Sequence, residues 1–271
     1  MCEGDIEPTM VTMLRRYRRK NVVELAPSVQ EIRTLSTNLG FWGALNDEER
    51  ARLVKLARIM LREKNWEGCA GLELTEEMKL IIAAQAALLL IGMEIDLASD
   101  PIFPNVQTIL VYPSGFVAPS ARQGPGGVMT EGHSNLGEAH YMGQFGGPII
   151  VSWAHAREGG RNASDGRNLV LHEFAHKLDF LDGVVDGTPP LKSKDAYDRW
   201  KRVMSTHFND LVRRAQTGAP SLIDYYGATN PAEFFAVATE AFFERAREMR
   251  EFLPELYSVL QDYYGQMTAE H

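Results

Sequence analysis

Two histidines four residues apart, with a glutamate directly after the first, sit in a strongly apolar run: Val170-Leu171-His172-Glu173-Phe174-Ala175-His176-Lys177-Leu178-Asp179. On an α-helix, residues at this spacing share a face one turn apart. His172 and His176 can therefore aim both imidazoles at one point, where a tetrahedral zinc accepts nitrogens at roughly 2.0–2.1 Å. From its position after the first histidine, Glu173 can reach a water on such a metal and take its proton. Leu169, Val170, Leu171, Phe174, Ala175, Leu178 and Phe180 cover most of the remaining surface. A helix this apolar is buried, and buried histidine and glutamate need partners. The fold must enclose this helix and bring further ligands to its one polar edge.

The chain is long enough for one large domain, with 271 residues of which 45% are hydrophobic. Its formal net charge of −8 offers no basic field for nucleic acid or an anionic membrane, so neither is an expected partner. The one basic run, Arg15-Arg16-Tyr17-Arg18-Arg19-Lys20, reads as a solvated helix face or a disordered arm. Cys2 and Cys69 form no disulfide framework, and the acidic start Met1-Cys2-Glu3-Gly4-Asp5 lacks the apolar stretch of a secretory signal. The longest apolar run, Leu80 to Met93, is too short to cross a bilayer and reads as a buried core helix. These features predict a soluble, cytoplasmic protein.

Residues 1–40 carry little apolar periodicity and read as a poorly defined N-terminal extension. Beyond it, residues 41–265 read as one domain. Asn46 and Glu49 form a capping-box pattern, followed by Leu53, Leu56, Ala57, Met60 and Leu61 at helical spacing. A second helix starts near Thr75, so residues 41–98 make a helical cover. Sheet and flap follow over 105–155. Gln107 to Tyr112 is strand-like, ending at Pro113-Ser114-Gly115. Residues 122–147 are rich in glycine, with Val128 to Thr130 and Glu138 to Gln144 as a candidate hairpin that could serve as a flap over a cleft or as a plain surface loop. Gly147-Pro148 leads into Ile149-Ile150-Val151, the strongest strand signal. That strand either offers its edge to a peptide by β-augmentation or is an inner strand without a ligand. The metal helices occupy 164–265. Ser164 or Asp165 is the expected cap of the His-Glu helix, and another amphipathic helix runs from Ser193 to about Arg214, with His207 in its apolar stripe.

Two histidines do not complete a catalytic zinc site; a third protein ligand is needed, with one position left for water. The C-terminal candidate is Tyr225-Tyr226-Gly227-Ala228-Thr229-Asn230-Pro231-Ala232-Glu233-Phe234-Phe235-Ala236-Val237-Ala238-Thr239-Glu240. Asn230 suits an N-cap and Pro231 the first helical position. Glu233 then falls in the first turn of a buried helix, and Glu240 lies on the same face seven residues on. One can ligate; the other, or Asp179, can accept the free N–H of a ligating histidine.

The sequence His-Glu-Phe-Ala-His-Lys-Leu-Asp, followed by Tyr-Gly-Ala-Thr-Asn-Pro-Ala-Glu-Phe-Phe-Ala-Val, resembles the Mlc titration factor A (MtfA) family of bacterial zinc peptidases. The catalytic domain of anthrax lethal factor is a more distant likeness. Leu45-Asn46-Asp47-Glu48-Glu49, Ile109-Leu110-Val111-Tyr112-Pro113 and Gly147-Pro148-Ile149-Ile150-Val151 resemble the same family in the same order. The resemblance implies an α+β, zincin-like fold with a small mixed sheet, an active-site helix and additional N-terminal helices. It implies a gluzincin holding one zinc per chain on His172, His176 and Glu233, with Glu173 as general base, Tyr226 steadying the oxyanion, and aminopeptidase-like activity on peptides. It also raises an alternative: a regulatory protein that sequesters a transcriptional repressor, with catalysis secondary.

Overall fold

A computed structural model describes residues 10–114, 147–266 and 268. The architecture follows from how each amphipathic segment covers a very small sheet. Helix α3, Asp47–Glu63, begins at Asn46, whose side chain accepts from the Glu48 and Glu49 N–H groups while the Glu49 carboxylate returns to the Asn46 N–H. This reciprocal closure satisfies the orphan donors of the first turn. Thr75 caps α4, Glu76–Leu88, which is buried continuously from Leu80 to Leu88, as an all-round apolar helix must be.

Three short strands form the sheet: β1 (Asn65–Gly68), β2 (Thr108–Tyr112) and β3 (Ile149–Ser152), in the order β1-β2-β3. Both pairings are parallel, with Ile109 opposite Trp66 and Ile149. The expected mixed sheet is thus parallel among the described residues, and the crossover from β1 to β2 carries α4. Ile109, Val111, Ile149 and Val151 are wholly buried. The expected hairpin at Val128 to Thr130 and Glu138 to Gln144 lies outside the described residues.

After the sheet come α5 (Trp153–Arg161), α6 (Leu169–Asp179), α7 (Lys194–Thr217), α8 (Pro231–Glu244), α9 (Ala246–Phe252) and α10 (Pro254–Tyr264). Helices α6 and α8 lie side by side at the centre, joined to their surroundings by edge-on ring pairs such as Phe103–Phe174 at 4.7 Å and Trp200–Phe235 at 5.6 Å. Gly187 crosses the start of α8 at φ +80°, where a Cβ would stand 2.4 Å from the Pro231 carbonyl oxygen. Only glycine fits both the conformation and the approach.

The N-terminal segment is more ordered than its periodicity suggests. Met10–Glu24 forms α1 and Val29–Asn38 forms α2, the latter opened by a Ser28–Glu31 capping box. The basic run on α1 is not a uniformly solvated face. Arg19 is 1% exposed; its guanidinium donates to both Glu63 carboxylate oxygens and to the carbonyls of Leu97 and Asp100. Arg15 donates to the Ser99 carbonyl. Apolar residues of α1 (Met10, Met13, Leu14 and Tyr17) face outward instead. Among the described residues, no helix is long and apolar enough to cross a membrane.

Candidate metal centre

Helix α6 starts later than Ser164 or Asp165. Its cap is Asn168, whose Oδ1 accepts from the Val170 and Leu171 N–H groups, each at 3.1 Å. Asp165 closes the preceding turn by accepting from Arg167 N, and Gly166 supplies the left-handed residue there, at φ +78°. With this start, His172 and His176 project from one face of the helix. Asn230 caps α8 through the Glu233 N–H and Pro231 occupies the first turn, as the sequence predicts.

The two helices bring three donor atoms together. His172 Nε2 is 3.0 Å and His176 Nε2 3.4 Å from Glu233 Oε2, and the two nitrogens are 3.2 Å apart. Donors around a tetrahedral ion with bonds of ~2.0–2.1 Å stand ~3.3 Å from one another, so the triangle has the dimensions of one face of such a site. Despite these short approaches, Glu233 Oε2 is buried without a properly directed hydrogen bond. The two-nitrogen, one-carboxylate donor set suits a metal ion such as zinc.

Charge is arranged to match. Burial works against ionisation of Glu233, but the His172 and His176 rings outweigh it and hold the carboxyl far below the usual carboxylate range. Burial likewise opposes a cationic His172, yet Glu233 and Glu240 push its pKa well above the ordinary value. The cluster favours positive charge at its centre.

Glu240 takes the other side of His172. Its Oε1 is 2.8 Å from Nδ1, and its Oε2 accepts from the Asn168 N–H at 2.5 Å. A carboxylate here keeps the proton on Nδ1 and leaves Nε2 free to ligate. Asp179 is turned elsewhere. Its Oδ2 accepts from the Gly187 N–H, and burial raises its pKa to about 6. Among the described residues, His176 Nδ1 has no hydrogen-bond partner.

Glu173 is 1% exposed, adjacent to His172. Lys177, one turn on, loses basicity through burial and regains part of it from Glu173, while its ammonium donates to the Gly147 carbonyl ahead of β3. Tyr226 lies in a 3-10 turn, Tyr225–Ala228, with its ring centroid 5.9 Å from that of His172. Tyr225 points away: its hydroxyl donates to the Ala219 carbonyl. Of the candidate substrate residues, Ile149 and Val151 turn buried side chains inward and Ile150 is half-buried. The opposite edge of β3 pairs with no strand among the described residues. His207, half-buried on α7, has its pKa lowered by burial and stands outside the converging group.

Sequence reasoning missed two residues. Asn168 had a legible signal, an Asn directly before the apolar run. Glu244 had none: one turn beyond Glu240 on α8, it accepts from the Gly166 and Arg167 N–H groups at 3.0 Å each.

The glucose-regulated metallo-peptidase M90 family matches residues 14–265. An uncharacterised protein of Synechocystis is 36% identical over 252 residues, covering 92% of this chain and 88% of its own length. Mlc titration factor A of Yersinia enterocolitica is 31% identical over 233 residues, with 84% and 83% covered. The protein of the same name from Edwardsiella ictaluri is 29% identical over 230 residues, covering 82% of each. With the match running from α1 through α10, the chain is a member of the M90 metallopeptidase family, to which these Mlc titration factors are its relatives.

Proposed function

We propose that this chain is a zinc-dependent peptidase with aminopeptidase-like preference for small peptides. In this reading His172, His176 and Glu233 hold the ion, Glu173 is the general base and Tyr226 steadies the oxyanion. The observation that carries it is the triangle of donor atoms, spaced for one ion and not saturated by hydrogen bonds, with Glu173 beside it on the same helix. Zinc at such a site lowers the pKa of a water toward ~7 and polarises a carbonyl.

The chain's own groups do the rest. Glu173 takes the proton of the attacking water and hands it to the leaving amine. The Tyr226 hydroxyl donates to the oxygen that gains charge as the carbonyl carbon becomes tetrahedral. Glu240 fixes the His172 tautomer, and the β3 edge at Ile149, Ile150 and Val151 offers backbone groups to an extended substrate. The test pairs metal analysis with hydrolysis of aminoacyl and short peptide substrates. Stoichiometric zinc and turnover that is lost in Glu173→Gln, with zinc retained, are expected; turnover that survives in Glu173→Gln removes Glu173 as the base.

A second reading concerns a partner. Relatives are named as titration factors, and among the described residues eight of the thirteen exposed large hydrophobics lie within residues 10–32. Contiguous exposed apolar surface marks interaction sites. In this reading the chain also binds a transcriptional repressor. Retention of such a regulator by metal-stripped protein in a pull-down supports it, and binding that disappears with the metal ties recognition to the site instead.

A further inference from the structure

We propose that Arg167 and Asp224 are positioning residues that hold Tyr226 over the metal centre, a proposal that rests on the reading of Tyr226 given above. Asp224 makes two bonds in opposite directions. Its Oδ1 accepts from the Tyr226 N–H at 2.9 Å, and its Oδ2 accepts from the Arg167 guanidinium at 2.8 Å. One carboxylate thus couples the turn bearing Tyr226 to the loop that starts α6.

The loop end of this tether is a fixed post. The Gly166 and Arg167 N–H groups both donate to Glu244, Arg167 N also to Asp165, and Asn168 N to Glu240. Three consecutive backbone donors, ending with that of the Asn168 cap of the His172 helix, are therefore held by carboxyl groups of α8. Arg167 carries the position of that helix out to Asp224, and Asp224 imposes it on the backbone of Tyr226.

The turn itself is supported from below. A Cβ on Gly227 would meet Val237 Cγ2 at 2.8 Å and the Phe234 Cα at 3.3 Å, so the turn lies directly on α8. Thr229 bonds the Tyr226 carbonyl from the far side. These contacts keep the turn folded without Arg167. What the ion pair adds is registration of the Tyr226 ring against the His172 ring. Arg167 is 57% and Asp224 26% exposed at the side chain, so the pair contributes little to stability and can be removed without unfolding the protein.

The experiment is a double-mutant cycle of Arg167→Met and Tyr226→Phe in the full chain, with kcat and KM for a peptide substrate. Arg167→Met is expected to lower kcat about fivefold, the scale of an exposed pair, with KM and metal content unchanged. In the Tyr226→Phe background the same substitution should cost nothing, because a residue acting through Tyr226 has nothing left to act on. Arg167→Lys should recover part of the loss. High salt should lower wild-type kcat toward that of Arg167→Met, since an exposed pair is screened. A readout without metal is the ring-proton NMR shifts of His172, which the Tyr226 ring perturbs in wild type and which should move in Arg167→Met. Full kcat in Arg167→Met, or an equal loss in both backgrounds, overturns the tether. Tyr226→Phe with undiminished kcat removes the role of Tyr226 and the tether with it, a result distinct from failure of the tether alone.

Discussion

Arg19 on α1 and the donor cluster on α6 and α8 are both charged, both buried, and arranged in opposite ways. Bonds to Glu63, Leu97 and Asp100 engage four of the five N–H donors of the Arg19 guanidinium. By contrast, Glu233 Oε2 and His176 Nδ1 are buried without hydrogen bonds, although imidazole nitrogens stand 3.0–3.4 Å from Glu233 Oε2. A buried charge bonded to a carboxylate and to backbone carbonyls holds helices in place, whereas two imidazole nitrogens and a carboxylate oxygen at the spacing of metal donors are set for a third party. The contrast separates structure from chemistry more sharply than burial does, since Arg19 and Glu233 are 1% and 2% exposed.

The largest effect should come from the converging side. In the proposed mechanism Glu173→Gln removes only proton transfer, so kcat should fall by about 10²–10⁴ while metal analysis and melting temperature stay near wild type. Arg19→Met tests the bonded side. It strips the partner from Glu63 and two carbonyls, and urea titration should show a loss of about 3 kcal/mol, with kcat unchanged under conditions where the protein stays folded. A catalytic defect in Arg19→Met, or a stability defect in Glu173→Gln, would erase the distinction. Glu240→Gln lies between: it keeps an acceptor for His172 but meets the Asn168 N–H with an amide. Metal affinity, read by competition with a chelator, should weaken about 10–100-fold.

The same contrast explains what could be read in the sequence. The His172–His176 spacing, the Asn46–Glu49 box and the Asn230-Pro231 helix start are local rules, and each element follows from residues within one turn. Which of Glu233 and Glu240 faces which nitrogen is not local. Seven residues apart, they share a helix face, and only the packing of α8 against α6 sends one toward Nε2 and the other toward Nδ1. Helix α1 escaped detection because its inward face carries Arg15 and Arg19 while Met10, Val11, Met13, Leu14 and Tyr17 point out, the reverse of an amphipathic pattern over those turns. Glu244 was invisible because its partners are backbone N–H groups nearly eighty residues away.

Glu244 also supplies the smallest test, because it is neither bonded as fully as Arg19 nor convergent like Glu233. Its Oε2 accepts two backbone N–H groups while its Oε1 is buried without a hydrogen-bond partner. Burial first, and the neighbouring Glu240 charge second, raise its pKa from an ordinary 4.5 to about 8. A carboxyl whose folded pKa lies above its unfolded value binds its proton more tightly when folded. Its contribution is complete below pH ~4.5, declines as pH rises and is gone above pH ~8. Glutamine keeps an acceptor for Gly166 and Arg167 and cannot ionise. Glu244→Gln should therefore gain on the order of 1 kcal/mol or more over wild type at pH 8, with the difference shrinking toward pH 5. Thermal melts of both proteins across that range measure it. A variant less stable than wild type at pH 8 would mean that Glu244, like Arg19, works as a charged anchor whose bonds depend on its ionised form.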